Sequence, residues 1–130
     1  MRKYSRDFIK LMVLLLTLGV MAGCSQVSDE EILAGRKAAA EGAMIIDVRS
    51  EKEFNTEGHI KGAVNIPIAY VDRMFNSLPR DKEMIVYCRT GARSEIAARL
   101  LREQGWTVYD VATQGDWERE IKPKPIKKVK

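Results

Sequence analysis

Cys88 lies in the part of the sequence where residue types and spacing best suit chemistry. It ends an apolar run at 84–87 that reads as a buried strand, and residues 89–93 lead from it into a helix. In open parallel sheets ligands bind at the carboxyl ends of strands, where loop N–H groups and a helix dipole favour anions. Arg89 and Arg93 add positive charge, which favours a thiolate. The pattern therefore predicts an activated sulfur nucleophile in an anion-binding loop, against the alternative of a small buried apolar residue.

Four stretches, in order along the chain, strengthen this interpretation. Residues 46–49 read Ile-Asp-Val-Arg, and Glu53-Phe54 precedes Gly-His-Ile-Lys-Gly-Ala-Val-Asn-Ile-Pro at 58–67. Residues 88–94 read Cys-Arg-Thr-Gly-Ala-Arg-Ser, and a further strand follows at 105–111. Together they resemble the first-strand motif, the G-H-I-x-G-A-x-N-I-P segment, the active-site loop and the following strand of rhodaneses, which are thiosulfate and persulfide sulfurtransferases. The resemblance covers roughly residues 28–120.

The resemblance implies one rhodanese-like α/β domain in three layers, a central parallel sheet with helices on both faces. It implies that Cys88 takes up a sulfane sulfur, carries it as a persulfide and passes it to cyanide or a thiol. No metal or organic cofactor is implied, and we expect a monomer. The anionic donor would be bound by the loop residues Arg89, Thr90, Gly91, Ala92 and Arg93.

Three further polar residues lie in the matched stretches. We interpret Asp47 and Arg49 as a polar pair that supports the structure behind the site. His59 is interpreted as holding the turn before the second strand rather than as a partner of Cys88. One departure concerns the loop after the last core strand, where rhodaneses usually have Gly-Gly and then Trp. This chain has Ala-Thr-Gln-Gly-Asp-Trp at 112–117, which leaves the shape of the pocket open.

Two other functions are compatible with a cysteine in such a loop. Dual-specificity and arsenate-type phosphatases share the fold, but five residues separate their cysteine and arginine. Here four residues separate Cys88 from Arg93, which favours a single sulfur atom over a phosphate. A module that carries sulfur or binds a partner without turnover is the second alternative, and an intact cysteine does not separate it from an enzyme.

The elements that must position this loop follow from the apolar patterns. Buried strands are predicted at 44–48, 63–66, 84–87 and 107–111. The first helix is predicted to begin at a capping box of Ser28 and Glu31 and to end at Gly42. Further helices are predicted over 51–57, 70–78 and 94–104. Strands that alternate with helices predict a parallel sheet covered on both faces.

The N-terminus reads as a targeting segment. A basic stretch at 1–10 precedes an apolar run at 11–23, which is too short to cross a bilayer comfortably and has the length of a signal-peptide core. Met-Ala-Gly at 21–23 before Cys24 resembles a bacterial lipobox. We expect a signal peptide at 1–23, acylation of Cys24, a short anchored linker at 24–27 and a location in the cell envelope facing the periplasm or exterior. The alternative is an uncleaved membrane anchor.

Length, composition and charge exclude several classes of protein. A chain of 130 residues with 45% hydrophobic and 31% charged side chains suits one globular domain. Two cysteines and one histidine exclude a disulfide scaffold and multi-cysteine zinc sites. The net charge of +4 comes from the ends, because residues 24–121 hold 13 basic and 17 acidic side chains. We therefore expect no nucleic-acid partner, and a lysine-rich tail at 121–130 that is solvated or lies on anionic lipid.

Overall fold

Helices and strands alternate along the chain, as the apolar patterns predict. The computed structural model describes residues 26–122. The predicted signal peptide, Cys24 and the tail residues 123–130 lie outside the described residues. The elements are α1 Asp29–Ala40, β1 Met44–Asp47, α2 Glu51–Thr56, β2 Val64–Asn65, 3-10 helices Ile68–Tyr70 and Asp72–Met74, β3 Met84–Cys88, α3 Ala92–Glu103, β4 Val108–Thr113 and α4 Gln114–Glu118.

The four strands form a parallel sheet in the order β2-β1-β3-β4. The last residues of the strands therefore lie together at one end, which we call the C-terminal end of the sheet. β3 is a central strand and is buried along its whole length, which matches its continuous apolar sequence. Because Cys88 is its last residue, the predicted nucleophile lies where parallel sheets bind ligands.

Side chains of β3 alternate between two apolar layers, as the pleat requires. Met84, Val86 and Cys88 pack with residues of α3, among them Ala97 and Leu101. The opposite layer contains Ile85 and Tyr87 of β3, Ala38 of α1, Val111 and Ile60, with Trp117 of α4 packed against it. Both faces are covered, which confirms the predicted three-layer α/β fold.

Two local predictions are wrong. The helix expected over 70–78 is replaced by two 3-10 helices, with backbone bonds from Tyr70 N–H to the Pro67 carbonyl and from Met74 N–H to the Val71 carbonyl. Pro67 and Pro79 bound this stretch, and burial of Val71 and Leu78 sets its path. The loop expected after 111 is the end of β4 followed by α4.

At the first helix one half of the predicted capping box forms, and the Glu31 carboxylate accepts instead from Asp110 N–H at 3.1 Å. The Ser28 hydroxyl accepts a hydrogen bond from Glu31 N–H, as predicted. A reciprocal capping box forms instead at α2, between Ser50 and Glu53. None of the helices between residues 26 and 122 has the length and apolar character needed to cross a bilayer.

Candidate active site

Cys88 lies within a turn whose backbone points at its sulfur. The side chain is 1% exposed. The N–H group of Gly91 donates to Sγ at 3.1 Å, and that of Ser94 donates at 3.4 Å. Both donors belong to the start of α3, so the sulfur also lies at the positive end of that helix dipole. Two backbone donors and a helix N-terminus therefore converge on the sulfur at the end of β3.

Gly91 is required by the conformation of the loop. Its φ of +92° lies in the left-handed region, and its carbonyl accepts a hydrogen bond from the Ser94 hydroxyl at 3.0 Å. A Cβ at Gly91 would lie 3.3 Å from the Cβ of Ala112. The turn that brings two N–H groups to Sγ therefore depends on glycine at this position.

Ala112 lies at the start of the stretch 112–117, where the sequence departs from the usual Gly-Gly and Trp. It has a φ of +57°, the one positive value outside glycine among residues 26–122. An alanine in this region costs roughly 1–2 kcal/mol. Its N–H group donates to Asp110 Oδ1 at 3.0 Å, which holds the strained backbone in place. The Ala112 methyl group thus lies close to Gly91 of the active-site loop.

The two arginines of the loop are bound by carboxylates of α2 and its C-cap. Arg93 donates from both terminal nitrogens to Glu53, at 2.8 and 2.9 Å, and Arg89 Nε donates to the same carboxylate at 3.0 Å. Arg89 also pairs with Glu57. The hydrogen bonds from Arg93, and to a smaller extent the one from Ser50, lower the pKa of the Glu53 carboxyl. The predicted donor-binding charges therefore belong to an ion-pair cluster, defined as Arg89, Arg93, Glu53 and Glu57.

Asp47 and Arg49 form a second ion pair behind the loop, as the sequence predicts for a supporting pair. Arg49 Nε lies 3.0 Å from each Asp47 carboxylate oxygen, and Nη2 lies 2.6 Å from Oδ2. Nη2 also donates to the Gly58 carbonyl at 2.7 Å. The Asn65 amide donates to the carbonyls of both residues, at 3.0 and 2.9 Å. The pair thus ties the end of β1 to β2 and to the segment before it.

His59 is engaged with α2. Its ring stacks on Phe54 with centroids 3.8 Å apart, and Nδ1 lies 3.2 Å from the Phe54 carbonyl oxygen. The adjacent Ile60 N–H donates to the Tyr87 hydroxyl at 3.1 Å. Burial raises the pKa of Tyr87. The turn before β2 is therefore held by Phe54 through His59 and by Tyr87 through Ile60. No signal in the sequence indicates the contact made by Tyr87.

A cavity of about 420 Å³ adjoins the active-site loop. Thr90, Gly91 and Ala92 of the loop line it, as do Gln26 and Val27. The remaining lining residues are Glu95, Asp110 and Ala112. Burial raises the pKa of Asp110. Across residues 26–122, no group of three or more His, Cys, Asp and Glu side chains is arranged to hold a metal ion.

Sequence reasoning placed the loop correctly but assigned some contacts differently. Among residues 89–93, the N–H that donates to Sγ is that of Gly91, and the second donor is Ser94, which lay just outside the predicted binding set. Thr90 and Ala92 are exposed beside the cavity. The roles of these residues in binding a substrate stay predictions.

Comparison with known proteins agrees with this geometry. The chain is 33% identical over 78 residues to a sulfurtransferase of Allochromatium vinosum. The aligned region covers 60% of this chain and 72% of that protein. It is 37% identical over 75 residues to the putative sulfur carrier protein YrkF of Bacillus subtilis, covering 56% of this chain and 40% of that protein.

Solved structures show the same relationship. The human single-domain sulfurtransferase TSTD1 superposes with a TM-score of 0.57 and 30% identity, over 76% of this chain and 100% of that chain. A profile of the rhodanese-like domain matches residues 30–114. That match spans both ion pairs, the active-site loop and all four strands, and the chain belongs to the rhodanese-like domain family.

Proposed function

We propose that the chain is a sulfurtransferase that carries sulfur as a persulfide on Cys88. The observation that carries the proposal is the pair of N–H donors, from Gly91 and Ser94, directed at Sγ. In the first step the thiolate attacks the outer sulfur of thiosulfate. The sulfur–sulfur bond of thiosulfate breaks, and sulfite leaves with the electron pair. Cys88 then holds one added sulfur as a persulfide anion.

The second step returns the enzyme to its starting state. Cyanide or a thiolate attacks the outer persulfide sulfur, the new bond forms, and Cys88 leaves as a thiolate. With cyanide the product is thiocyanate, and no external oxidant or reductant is consumed. The helix N-terminus that stabilises the thiolate also stabilises the negative charge of the persulfide. Thiosulfate or a low-molecular-weight persulfide is the proposed donor.

Mass spectrometry with thiosulfate is the direct test. Incubation is expected to add one sulfur, about 32 Da, to the chain through the nucleophilic thiolate, and cyanide is expected to remove it. Cys88→Ser should take up no sulfur while keeping the wild-type unfolding curve, because serine keeps the shape but not the nucleophile. Hydrolysis of phosphate esters with no persulfide would contradict the proposal and support the phosphatase alternative.

A sulfur carrier without free turnover is the second candidate. The similarity to YrkF, a putative sulfur carrier protein, favours it. A carrier would accept sulfur on Cys88 but release it slowly to cyanide or small thiols. Thiocyanate production over many cycles would support the enzyme, whereas a single stoichiometric transfer would support the carrier.

The proposed location is the cell envelope, with the chain anchored through acylated Cys24. The lipobox-like residues before Cys24 and the apolar run at 11–23 support this proposal. Intact-mass analysis of the membrane fraction is expected to show a chain that begins at an acylated Cys24. Cys24→Ser should accumulate with its N-terminal segment uncleaved. A wild-type chain that is soluble, or that begins elsewhere, would contradict the anchor.

A further inference from the structure

The N-terminal end of the described chain lies beside the active-site loop, and the segment after α4 contacts that end. Gln26 and Val27 line a cavity together with Thr90, Gly91 and Ala92 of the loop. Arg119, which follows α4, donates to the Val27 carbonyl at 2.9 Å and to Asp29 Oδ1 at 2.6 Å. The segment entering α1 and the segment leaving α4 are therefore joined at the C-terminal end of the sheet, where Cys88 lies.

Covalent geometry ties this end of the molecule to the proposed anchor. Cys24 is two residues before Gln26. Two residues span at most about 7 Å of extended chain. Gln26 itself lines the cavity next to Thr90 and Gly91. An acylated Cys24 thus brings lipid headgroups close to the active-site loop, and the opposite end of the sheet points away.

Charge at the same end favours contact with anionic lipid. Residues 122–130, which follow Arg119, contain five lysines and no acidic residue. A basic residue near an anionic membrane surface contributes about 1 kcal/mol. The region between the two ends holds more acidic than basic side chains and would not attract such a surface. The lysines therefore supply the attraction where the anchor already holds the chain.

We propose that the C-terminal end of the sheet faces the membrane to which Cys24 is anchored. Cys88 is then open to small sulfur donors and acceptors that enter the gap between protein and lipid, and shielded from large folded acceptors. The proposal rests on the proposed anchoring through Cys24. It adds an orientation and a substrate class, low-molecular-weight sulfur compounds, to the proposed function.

Spin labels at the two ends of the sheet test the orientation without using activity. The full acylated chain is reconstituted into vesicles of phosphatidylethanolamine and phosphatidylglycerol, in a Cys88→Ser background. One label is attached at Glu95→Cys, beside the cavity, and the matched control at Lys82→Cys, an exposed charged residue just before β3 begins. The accessibility of each label to an aqueous nickel chelate is compared in vesicles and in detergent.

The label at position 95 is expected to become several-fold less accessible in vesicles, and the label at 82 to remain unchanged. An equal change in accessibility at the two labels between detergent and vesicles, or stronger protection at position 82, would overturn the orientation. A chain that lacks acylation at Cys24 would overturn the anchor and the orientation together. Failure of sulfur transfer alone leaves these readouts intact, because the Cys88→Ser background has no transfer chemistry.

Alkylation of Cys88 tests the size restriction. In the acylated wild-type chain Cys88 is the one remaining thiol, so N-ethylmaleimide and a high-mass polyethylene glycol maleimide both report on it. When the chain is bound to vesicles, the rate with the polymer reagent divided by the rate with N-ethylmaleimide is expected to fall several-fold. A flexible insert of about 20 Gly and Ser residues after Gln26, with an r.m.s. span of roughly 25 Å, should restore the ratio. A ratio that is unchanged by vesicles or by the insert would overturn the size restriction.

Discussion

The domain places two arginine–carboxylate groups within a few residues of its active-site loop, and they differ in exposure. In the Asp47–Arg49 pair the side chains are 0% and 6% exposed. In the ion-pair cluster, Arg89 is 52% exposed and Glu57 is 41% exposed. The buried pair is also bound by the Gly58 carbonyl and by the Asn65 amide through its backbone. The same chemistry therefore occurs once in the interior and once at the surface.

Because of this difference in exposure, the two groups have different roles. A buried ion pair has lost its water, so removal of one partner leaves an uncompensated charge and a large penalty. An exposed pair exchanges its partner for water or for an anion at little cost. Asp47 and Arg49 therefore support the strand ends, whereas exposed Arg89 can exchange Glu57 for water or an anion at little cost. Arg93 and Glu53, 33% and 16% exposed, lie between these extremes.

The largest expected effect is on stability, at the buried pair. Asp47→Asn keeps the shape of the side chain but removes the buried carboxylate bound to Arg49, and the arginine is left with a 3.8 Å contact to half-exposed Glu57. We expect the free energy of unfolding to fall by about 3–5 kcal/mol, measured by urea denaturation. Asp72→Asn, at an exposed aspartate of the second 3-10 helix, is the control and should change it by less than about 0.5 kcal/mol. Equal stability of Asp47→Asn and wild type would show that the pair has no structural role.

At the cluster the expected effect of Arg93→Ala is on turnover. Loss of a positive charge that stabilises the donor and the leaving sulfite is expected to lower turnover about a hundredfold or more in a thiosulfate–cyanide assay. The loss of stability should be much smaller than for Asp47→Asn. The control is Arg99→Ala, at an exposed position of the same helix, which should keep full turnover. Full turnover of Arg93→Ala would place donor binding elsewhere.

Glu53→Gln tests the carboxylate that joins both loop arginines. Its charge-assisted hydrogen bonds are expected to contribute about 1–3 kcal/mol near neutral pH. Because Arg93 and Ser50 lower the pKa of Glu53 in the folded state, this contribution is present above the unfolded value of about 4.3 and is lost as pH falls through the folded value.

Urea curves of wild type and Glu53→Gln at about pH 7 and about pH 3 should therefore differ less at the lower pH. The matched control is Glu51→Gln, an exposed position in the first turn of the same helix. A difference in stability that stays constant with pH would mean that shape, rather than charge, accounts for the effect of Glu53.

The smallest effect is expected at the outer part of the cluster. Glu57→Gln removes one of the two partners of exposed Arg89 and a 3.8 Å contact with Arg49, and surface pairs of this kind contribute less than about 1 kcal/mol. High salt should remove most of the difference from wild type by screening, whereas it should leave the effect of Asp47→Asn largely unchanged. A loss at Glu57 as large as that at Asp47 would erase the distinction between the two groups.

Much of this fold could be predicted because its signals are local. The apolar run that ends at Cys88, the glycine at 91 and the helix after it are consecutive, so each follows from neighbouring residues. The 3-10 helices between Pro67 and Pro79 were mistaken for an α-helix, because the spacing of apolar residues does not show how the segment packs. α4 was missed for a similar reason, since its five residues carry no apolar period.

By itself, the sequence determined the position of the candidate nucleophile, the parallel sheet and the loop that surrounds the Cys88 sulfur. Only the tertiary structure decided that Glu53 binds Arg89 and Arg93, which lie 36 and 40 residues away in sequence. It also decided that Arg119 meets Val27, 92 residues away, and so places the N-terminal segment beside the active-site loop. The physical reason is that a charged surface side chain can pair with any opposite charge within reach. Local propensity does not select among those partners, whereas the packing of the helices on the sheet does.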